Sequence, residues 1–444
     1  MKRSLKLITL VGSALLASTV LFTSCANSSG GGSSDAKSEP TQPAAAPSAP
    51  SGTSGTSGTS GGGSSGGGGN ENTLPMPDPA MLSIPLTIEA KNPCTVTINN
   101  PWVGKLKYKK NDDAPVPIPS GLSFYTVHLA ADDKLEFTVE TDGSGNADTG
   151  GAYTGNLNIN CTDDCYVYGN VMSLLSTNFS NATTITTDWA LSYLFSDNTH
   201  LYNHQDKTIV LPATTLSDNC YNRMFQGCSN ITKTPVLPAT ELKNNCYELM
   251  FFNCSSLTEA TVLRAAVLKE DCYRDMFNGC SSLANAPEIR ATTFAPHSCS
   301  TMFYGCTALT EVTFPVATLA QSCCSNMFQG CTALTEVTLP DATLAQQCYE
   351  YMFRDCTELT KATILSTTLA DGCCNMMFLG CSKLNYVKCL AENGITFANT
   401  YSWLQSVASS GTFIKASGAT GWAVNSPDGI PNGWNVEEAT NTSA

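Results

Sequence analysis

Histidine and basic residues are scarce in this sequence. Its 444 residues include 4 His and 23 Lys or Arg against 37 Asp or Glu, which leaves a formal net charge of −14. Nucleic-acid binding draws most of its affinity from clustered Lys and Arg, so nucleic acid is excluded as a predicted partner. With only four His, the sequence also argues against a Cys-His nucleophile pair and against a His-rich metal site. No nucleophile elbow, zincin helix, phosphate loop or paired-carboxylate motif occurs, and we predict neither enzymatic activity nor a metal or cofactor.

The composition is also not that of a small domain stabilised by disulfides. The chain has 21 Cys in 444 residues, whereas small disulfide-dependent domains are short chains with more than about 8–10% Cys. The cysteines therefore need another explanation.

The amino terminus has the features of an export signal. Basic residues precede an apolar stretch over 7–22, and Thr23-Ser24-Cys25 follows it, which predicts a signal peptide over 1–24. The small residues before the cysteine resemble a bacterial lipobox, although Phe22 stands where that pattern prefers Leu. This resemblance implies acylation of Cys25, and acyl chains would hold the protein on a membrane. An ordinary cleaved signal with an incidental Cys is the alternative.

Two segments separate this signal from the second half of the chain. Gly, Ser, Pro and Thr dominate 25–75, which predicts a flexible tether with a root-mean-square span of roughly 35–40 Å. Short alternating runs between turn residues over 76–185 predict a small sandwich-like β-domain that also caps the second half of the chain. Its predicted strands include Leu86–Ile88, Thr95–Ile98, Leu106–Tyr108 and Leu135–Val139.

The second half is organised by a repeat. The pair Met-Phe recurs seven times, first at intervals of 26 residues and then of 25. A Cys stands three residues after each Phe, and an Ile or Leu stands three residues after that Cys. Such periodicity indicates a solenoid whose neighbouring coils stack to bury a shared core. The pairs begin at Met224, Met250, Met276, Met302, Met327, Met352 and Met377.

Each unit predicts a strand, a short helix and the turns between them. Good helix N-cap residues mostly precede the segment that contains Met-Phe, and residues tolerant of the left-handed conformation end it. The alternating run Leu334–Leu339 is typical of the strand. The predicted fold is therefore an α/β, leucine-rich-repeat-like solenoid over 186–390, with a carboxy-terminal cap over 391–440. The predicted N-caps are Asn219, Asn245, Asp271, Ser298, Ser322, Gln347 and Gly372, and the helix-ending residues are Gly227, Asn253, Gly279, Gly305, Gly330, Asp355 and Gly380.

The repeated unit CYNRMFQGCSNIT resembles the cysteine-containing leucine-rich repeats of the BspA-like surface lipoproteins of Bacteroides, oral anaerobes and treponemes. The likeness extends over about 190–436, and the stretch that ends at Trp434–Val436 is similar to that family's carboxy-terminal cap. Membership would imply a protein displayed on the bacterial outer membrane or cell surface. Relatives are implicated in adhesion to host matrix proteins and to other bacteria, but the resemblance transfers no binding residue.

Three roles compete for the repeat cysteines. Packing of buried free thiols as small hydrophobic groups is the preferred interpretation. Scattered disulfides and a metal site are the alternatives. Outside the repeats, Cys161 and Cys165 are the best candidates for a disulfide.

The predicted function is protein binding through a concave face formed by the repeat strands, and adhesion is the activity that the family resemblance implies. A solvated strand surface is the plain alternative for the same residues. A structural envelope lipoprotein without a specific ligand, held on the periplasmic side, is the rival function. The oligomeric state is not predicted. The proposed face residues are Glu259, Thr261, Glu311, Thr313, Glu336, Thr338, Lys361 and Thr363.

Overall fold

The computed structural model describes residues 74–100, 105–119, 121–140 and 157–440. They belong to one compact unit, 69–444. The predicted signal peptide, Cys25 and almost all of the predicted tether lie outside the described residues. Within the described residues, no helix is long and apolar enough to cross a membrane.

Two sheets enclose the first part of the core. Their strands are β1 (Leu86–Ala90), β2 (Cys94–Asn99), β3 (Leu106–Lys110), β4 (Val116–Pro117), β5 (Phe124–Leu129), β6 (Lys134–Val139), β7 (Asn158–Cys161) and β8 (Cys165–Asn170). One sheet contains β8, β1, β6, β3 and β4 in that order, and the other contains β5, β2 and β7. Side chains from both sheets, such as Ile88, Phe137 and Val96, are fully buried between them. β1, β2, β3 and β6 confirm the strands predicted here. Short 3₁₀ turns occupy Pro79–Met81, Val171–Leu174 and Phe179–Asn181.

The larger sheet continues into the first coil of the solenoid. β9 (Leu201–Asn203) and β10 (Ile209–Val210) both pair in parallel with β8. The sheet therefore runs across the predicted boundary at 185, and β8 covers the apolar end of the repeat stack. A solenoid needs such a cover because its terminal coil would otherwise expose the core.

The solenoid carries a second sheet of five parallel strands. These are β11 (Glu336–Leu339), β12 (Lys361–Ile364), β13 (Tyr386–Cys389), β14 (Gly411–Lys415) and β15 (Trp434–Glu438), paired in chain order. Earlier coils contribute isolated bridges to the same side, for example Lys233 with Glu259. A second column of single bridges joins Glu241, Val267, Thr293, Thr318 and Thr343 in successive coils.

The helix predicted in each coil is wrong, and with it the α/β class, because the described residues contain no α-helix. Overlapping turns replace it. Met250 donates its N–H three residues back to Tyr247, whereas Phe251 donates to the Met276 carbonyl of the next coil, at 3.3 and 2.9 Å. Six of the seven predicted N-caps, all but Ser298, have a positive φ, as do the seven predicted ending residues. The left-handed conformation predicted at the residues expected to end each helix is therefore confirmed. It forms part of a turn there and does not terminate a helix.

Stacking distance explains why a helix does not form. Phe rings of neighbouring coils stack with centroids 5.4–5.7 Å apart, close to the spacing of roughly 4.8 Å between strands. Packed α-helices need about 8–10 Å between axes. Coils that stack this closely leave no room for helices.

Columns of equivalent side chains from successive coils fill the solenoid. Phe195, which precedes the first Met-Phe pair, begins a ladder of eight Phe that ends against Trp403. Tyr221, Tyr247 and Tyr273 form a shorter stack beside it. All twenty described cysteines are buried and unpaired, the arrangement that the thiol-packing interpretation predicts. Cys161 and Cys165, the best candidates for a disulfide, are among them and are not bonded to each other in this structure.

Candidate binding face

The five-stranded sheet presents alternate residues to solvent. In β11, Val337 and Leu339 are buried whereas Glu336 and Thr338 are exposed. This follows from the two-residue period of a strand whose other face packs on a core. In β12 the same alternation exposes Lys361 and leaves Thr363 half-buried. The structure therefore brings together these four of the proposed face residues: Glu336, Thr338, Lys361 and Thr363.

Charges on this face are paired between coils. Lys361 lies directly opposite Glu336 in the parallel register, with Nζ 3.0 Å from Oε2. Lys233 and Glu259 form an equivalent pair at 3.0 Å. Exposed pairs of this kind contribute about 0–1 kcal/mol to stability. Their main effect is to orient the two side chains and to neutralise much of the local charge.

The other four proposed residues do not lie on strands. Glu259 and Glu311 take part only in isolated bridges. Thr261 is half-buried, and its hydroxyl donates to the Pro235 carbonyl at 3.2 Å. Thr313 is exposed on an irregular segment.

Coil length changes along the solenoid. The first three intervals between Met-Phe pairs are 26 residues and the later three are 25. Regular strands begin with β11, among the coils with the shorter interval.

Four further face residues were missed by the sequence analysis. Tyr386 and Lys388 of β13 follow Lys361 and Thr363 in register, and Thr412 and Ile414 of β14 follow them in turn. All four are half-buried. The run Leu384–Cys389 has the same alternation of apolar and polar residues as the run Leu334–Leu339. Aligning the two runs would have identified Tyr386 and Lys388 from the sequence. A face with Tyr386 and Ile414 at its centre has the apolar anchors that interface hot spots use.

The segment just after the predicted tether crosses the early coils. A guanidinium nitrogen of Arg264 donates to the carbonyl of Pro75, and another lies 3.4 Å from the sulfur of Met76. A groove of about 460 Å³ lies between this segment and the stretches 203–210 and 232–236. Asn203 Oδ1 already accepts from the backbone N–H groups of Thr232 and Lys233, so its acceptor is used within the chain.

The buried thiols have little nucleophilic character. Burial raises the pKa of Cys272, Cys306 and Cys356 to about 12, so these groups stay protonated at neutral pH, and the thiol is a poor nucleophile. No group of three or more His, Cys, Asp or Glu side chains in the described parts of the chain has a geometry that could hold a metal ion.

The described repeats form a β-solenoid. Their short coils stack with a parallel sheet on one side and ladders of turns on another. Residues 298–413 match the family model described as BspA type leucine-rich repeat region, in six copies. Residues 298–413 are therefore of the BspA repeat type, as the sequence resemblance predicted. Neither the curated proteins nor the solved structures contain a significant match to the chain.

Proposed function

We propose that this chain is a lipid-anchored surface repeat protein that binds a protein partner through the strands β11–β15. The observation that carries the proposal is the regular sheet whose solvent face combines Tyr386, Ile414 and Lys388. BspA-type repeats support a surface role and a scaffold for protein binding. Solenoid scaffolds commonly bind macromolecules because they offer extended surfaces rather than deep pockets.

The size of the face limits the affinity. Five strands at about 4.8 Å, each four or five residues long, cover on the order of 300 Å². A standard interface buries about 800 Å² per partner. The face therefore gives a weak contact unless the neighbouring irregular coils also take part or many displayed copies act together.

A variant pair tests this face. Tyr386→Ala with Lys388→Glu removes an aromatic anchor and reverses a charge, whereas Thr343→Ala with Thr368→Ala alters exposed residues of the other bridge column. We expect the first pair to lower binding to immobilised matrix proteins and to whole bacteria at least tenfold, about the loss of one hot-spot residue. The second pair should leave binding unchanged. Equal binding by all three proteins would exclude this face.

Membrane anchoring is a separate part of the proposal. It rests on the Thr23-Ser24-Cys25 pattern, which lies outside the described residues. Acylation of Cys25 predicts that labelled fatty acid enters the full chain in cells and does not enter the Cys25→Ala variant. Equal labelling, or none in either protein, would contradict it. Protection or cleavage of the solenoid by protease on intact cells distinguishes the periplasmic from the cell-surface side.

A structural envelope protein without a specific ligand is the second candidate. It is favoured by the internal pairing of the face, since Lys361 neutralises Glu336 and the Thr360 hydroxyl donates to the Thr335 carbonyl of the preceding coil at 3.1 Å. In that case deletion of the repeat region would weaken the envelope without changing adhesion.

A further inference from the structure

The segment that leads from the predicted tether into β1 is fixed at its carboxy-terminal end. We call residues 74–78 of this segment the strap. The Asp78 carboxylate accepts the Ala80 N–H at 2.9 Å and so caps the 3₁₀ turn that follows. The Asn170 side chain, at the end of β8, donates to the Leu82 carbonyl at 2.9 Å. These hydrogen bonds tie the end of the strap to the amino-terminal sheets.

The other end of the strap is held by one side chain. The Arg264 guanidinium donates to the Pro75 carbonyl and lies 3.4 Å from the Met76 sulfur. Arg264 forms no ion pair within the described residues, whereas Arg290, at the same position of the next coil, pairs with Glu288 at 3.0 Å. The guanidinium of Arg264 is therefore used on the strap and not on a neighbouring carboxylate.

Alternating prolines make the strap stiff. Pro75 and Pro77 belong to it, and Pro79 follows directly. Proline fixes φ, and Pro-rich segments act as semi-rigid spacers. A stiff segment that is fixed at one end moves as a unit when the contact at its other end is lost. Arg264 is in the position to decide whether the strap lies against the coils.

The strap borders the strand side of the early coils, those before β11. Pro77 is buried, and the strap forms one wall of the groove of about 460 Å³ that also includes 203–210 and 232–236. Lys233, in the second of these stretches, pairs with Glu259, one of the proposed face residues. A protein partner that reached this groove would therefore also reach the early part of the proposed face.

We propose that the strap is an autoinhibitory device that Arg264 holds closed. When closed, it keeps a protein partner from the strand side of the early coils. When released, it lets those coils extend the small face formed by β11–β15. This inference rests on the proposed binding function. A partner that needs the open state binds with an apparent affinity reduced by the fraction of chains that are open.

Thiol labelling of the chain 26–444 measures opening without a partner. This chain lacks the apolar stretch and Cys25, and its described native thiols are buried. Val236→Cys places a thiol in the groove, and the reagent is a maleimide on a long polyethylene glycol chain. Arg264→Ala should raise the labelling rate at least about tenfold, because it removes a hydrogen bond from a charged donor. Arg290→Ala is the matched control and should leave the rate unchanged.

A fluorescent dye reports the movement of the strap. Leu74→Cys carries the dye at the free end, and Ser83→Cys carries it at an exposed residue beyond the fixed end. In Arg264→Ala, the anisotropy of the dye at 74 should fall toward its value in the unfolded chain. The dye at 83 should keep its anisotropy, which shows that the fold is intact. Arg290→Ala should change neither value.

Binding to the immobilised matrix proteins and whole bacteria of the face experiment tests the inhibition. Arg264→Ala should raise the apparent affinity by up to the factor by which it raises the labelling rate. Covalent closure should reverse this gain. Met76→Cys with Arg264→Cys, joined by a bifunctional maleimide, should bind as the unaltered chain does.

Rapid labelling of Val236→Cys without a second substitution, or equal rates in the two arginine variants, overturns the proposal. An unchanged anisotropy at 74 does so too, as does release of the strap without any gain in binding. Absence of binding by every protein would remove the proposed function and with it the inhibition. The labelling and anisotropy results would separate that failure from a strap that never closes.

Discussion

The thiol of Cys254 donates a hydrogen bond to the carbonyl oxygen of Phe225 in the preceding coil, with sulfur and oxygen 3.1 Å apart. The same carbonyl accepts the N–H of Cys228 from its own coil at 3.1 Å. A buried carbonyl has two acceptor positions, and here both are used. The bond from thiol to carbonyl recurs in all seven Met-Phe coils, at Cys228, Cys254, Cys280, Cys306, Cys331, Cys356 and Cys381.

Replacement of Cys254 should cost more than replacement of an equally buried cysteine without this bond. Cys254→Ala removes both packing volume and the donor to Phe225. Cys246→Ala removes the same volume from a residue whose thiol donates to no carbonyl in the described part of the chain. We expect Cys254→Ala to lower the free energy of unfolding by about 0.5–1.5 kcal/mol more than Cys246→Ala does, the net value of one hydrogen bond. Equal losses in urea denaturation would show that the thiol acts only as a small hydrophobic group.

Native thiols should resist alkylation. Burial raises the pKa of Cys389 to about 12, and that of the other repeat thiols with a resolved shift is raised as well. We expect iodoacetamide at pH 8 to leave the mass of native chain 26–444 unchanged, and to modify all twenty cysteines after unfolding without reductant. Fewer modified residues in the unfolded sample would reveal disulfides and contradict the packing interpretation.

Gly394 should be far less replaceable than Gly305. Their φ values are nearly equal, +70° and +69°, but a Cβ on Gly394 would overlap the backbone carbonyl of Leu369, whereas one on Gly305 would meet open space. Both Ala variants carry the cost of a left-handed alanine, about 1–2 kcal/mol. Gly394→Ala should lose about 1–3 kcal/mol more because backbone must move. Thermal unfolding of both variants measures the difference, and similar midpoints would refute the steric argument.

Asp133 should stabilise the fold above acidic pH. The Lys110 ammonium 2.8 Å away, the Asn111 amide and the Ala130 N–H lower the pKa of this carboxyl to about 2, from an ordinary value of about 3.9. A lowered folded-state pKa gives stability that is present above the unfolded value and is lost as pH falls toward the folded one. Asp133→Asn should therefore be less stable than the unaltered chain above about pH 4.

The difference in unfolding free energy between Asp133→Asn and the unaltered chain should disappear as the pH approaches 2. Urea denaturation at several pH values measures it. Asp112→Asn removes the same charge from an exposed residue and serves as the control. A gap for Asp133→Asn that does not change with pH would rule out the linkage.

Much of the solenoid could be predicted from the residues. The Met-Phe period located seven coils, the Cys and Leu positions identified buried columns, and Gly279 and its equivalents identified the left-handed turns. The proposed binding face was predicted only in part. Glu336 and Lys361 lie on the sheet, but Tyr386 and Ile414 were missed because the strands they occupy were not aligned with the earlier ones.

The sequence by itself determined the repeat, its period and the inward residues, because a stacked coil must place an apolar side chain at the same position in every turn. Only the tertiary structure decided between helix and turn. The helix propensity of a segment of about two turns is too weak to override the packing of the adjacent coils. Coils that stack near the spacing of β-strands have no room for a helix. Which coils form regular strands was also decided by the tertiary structure, because a ladder depends on how two neighbouring coils meet and not on the sequence of either coil alone.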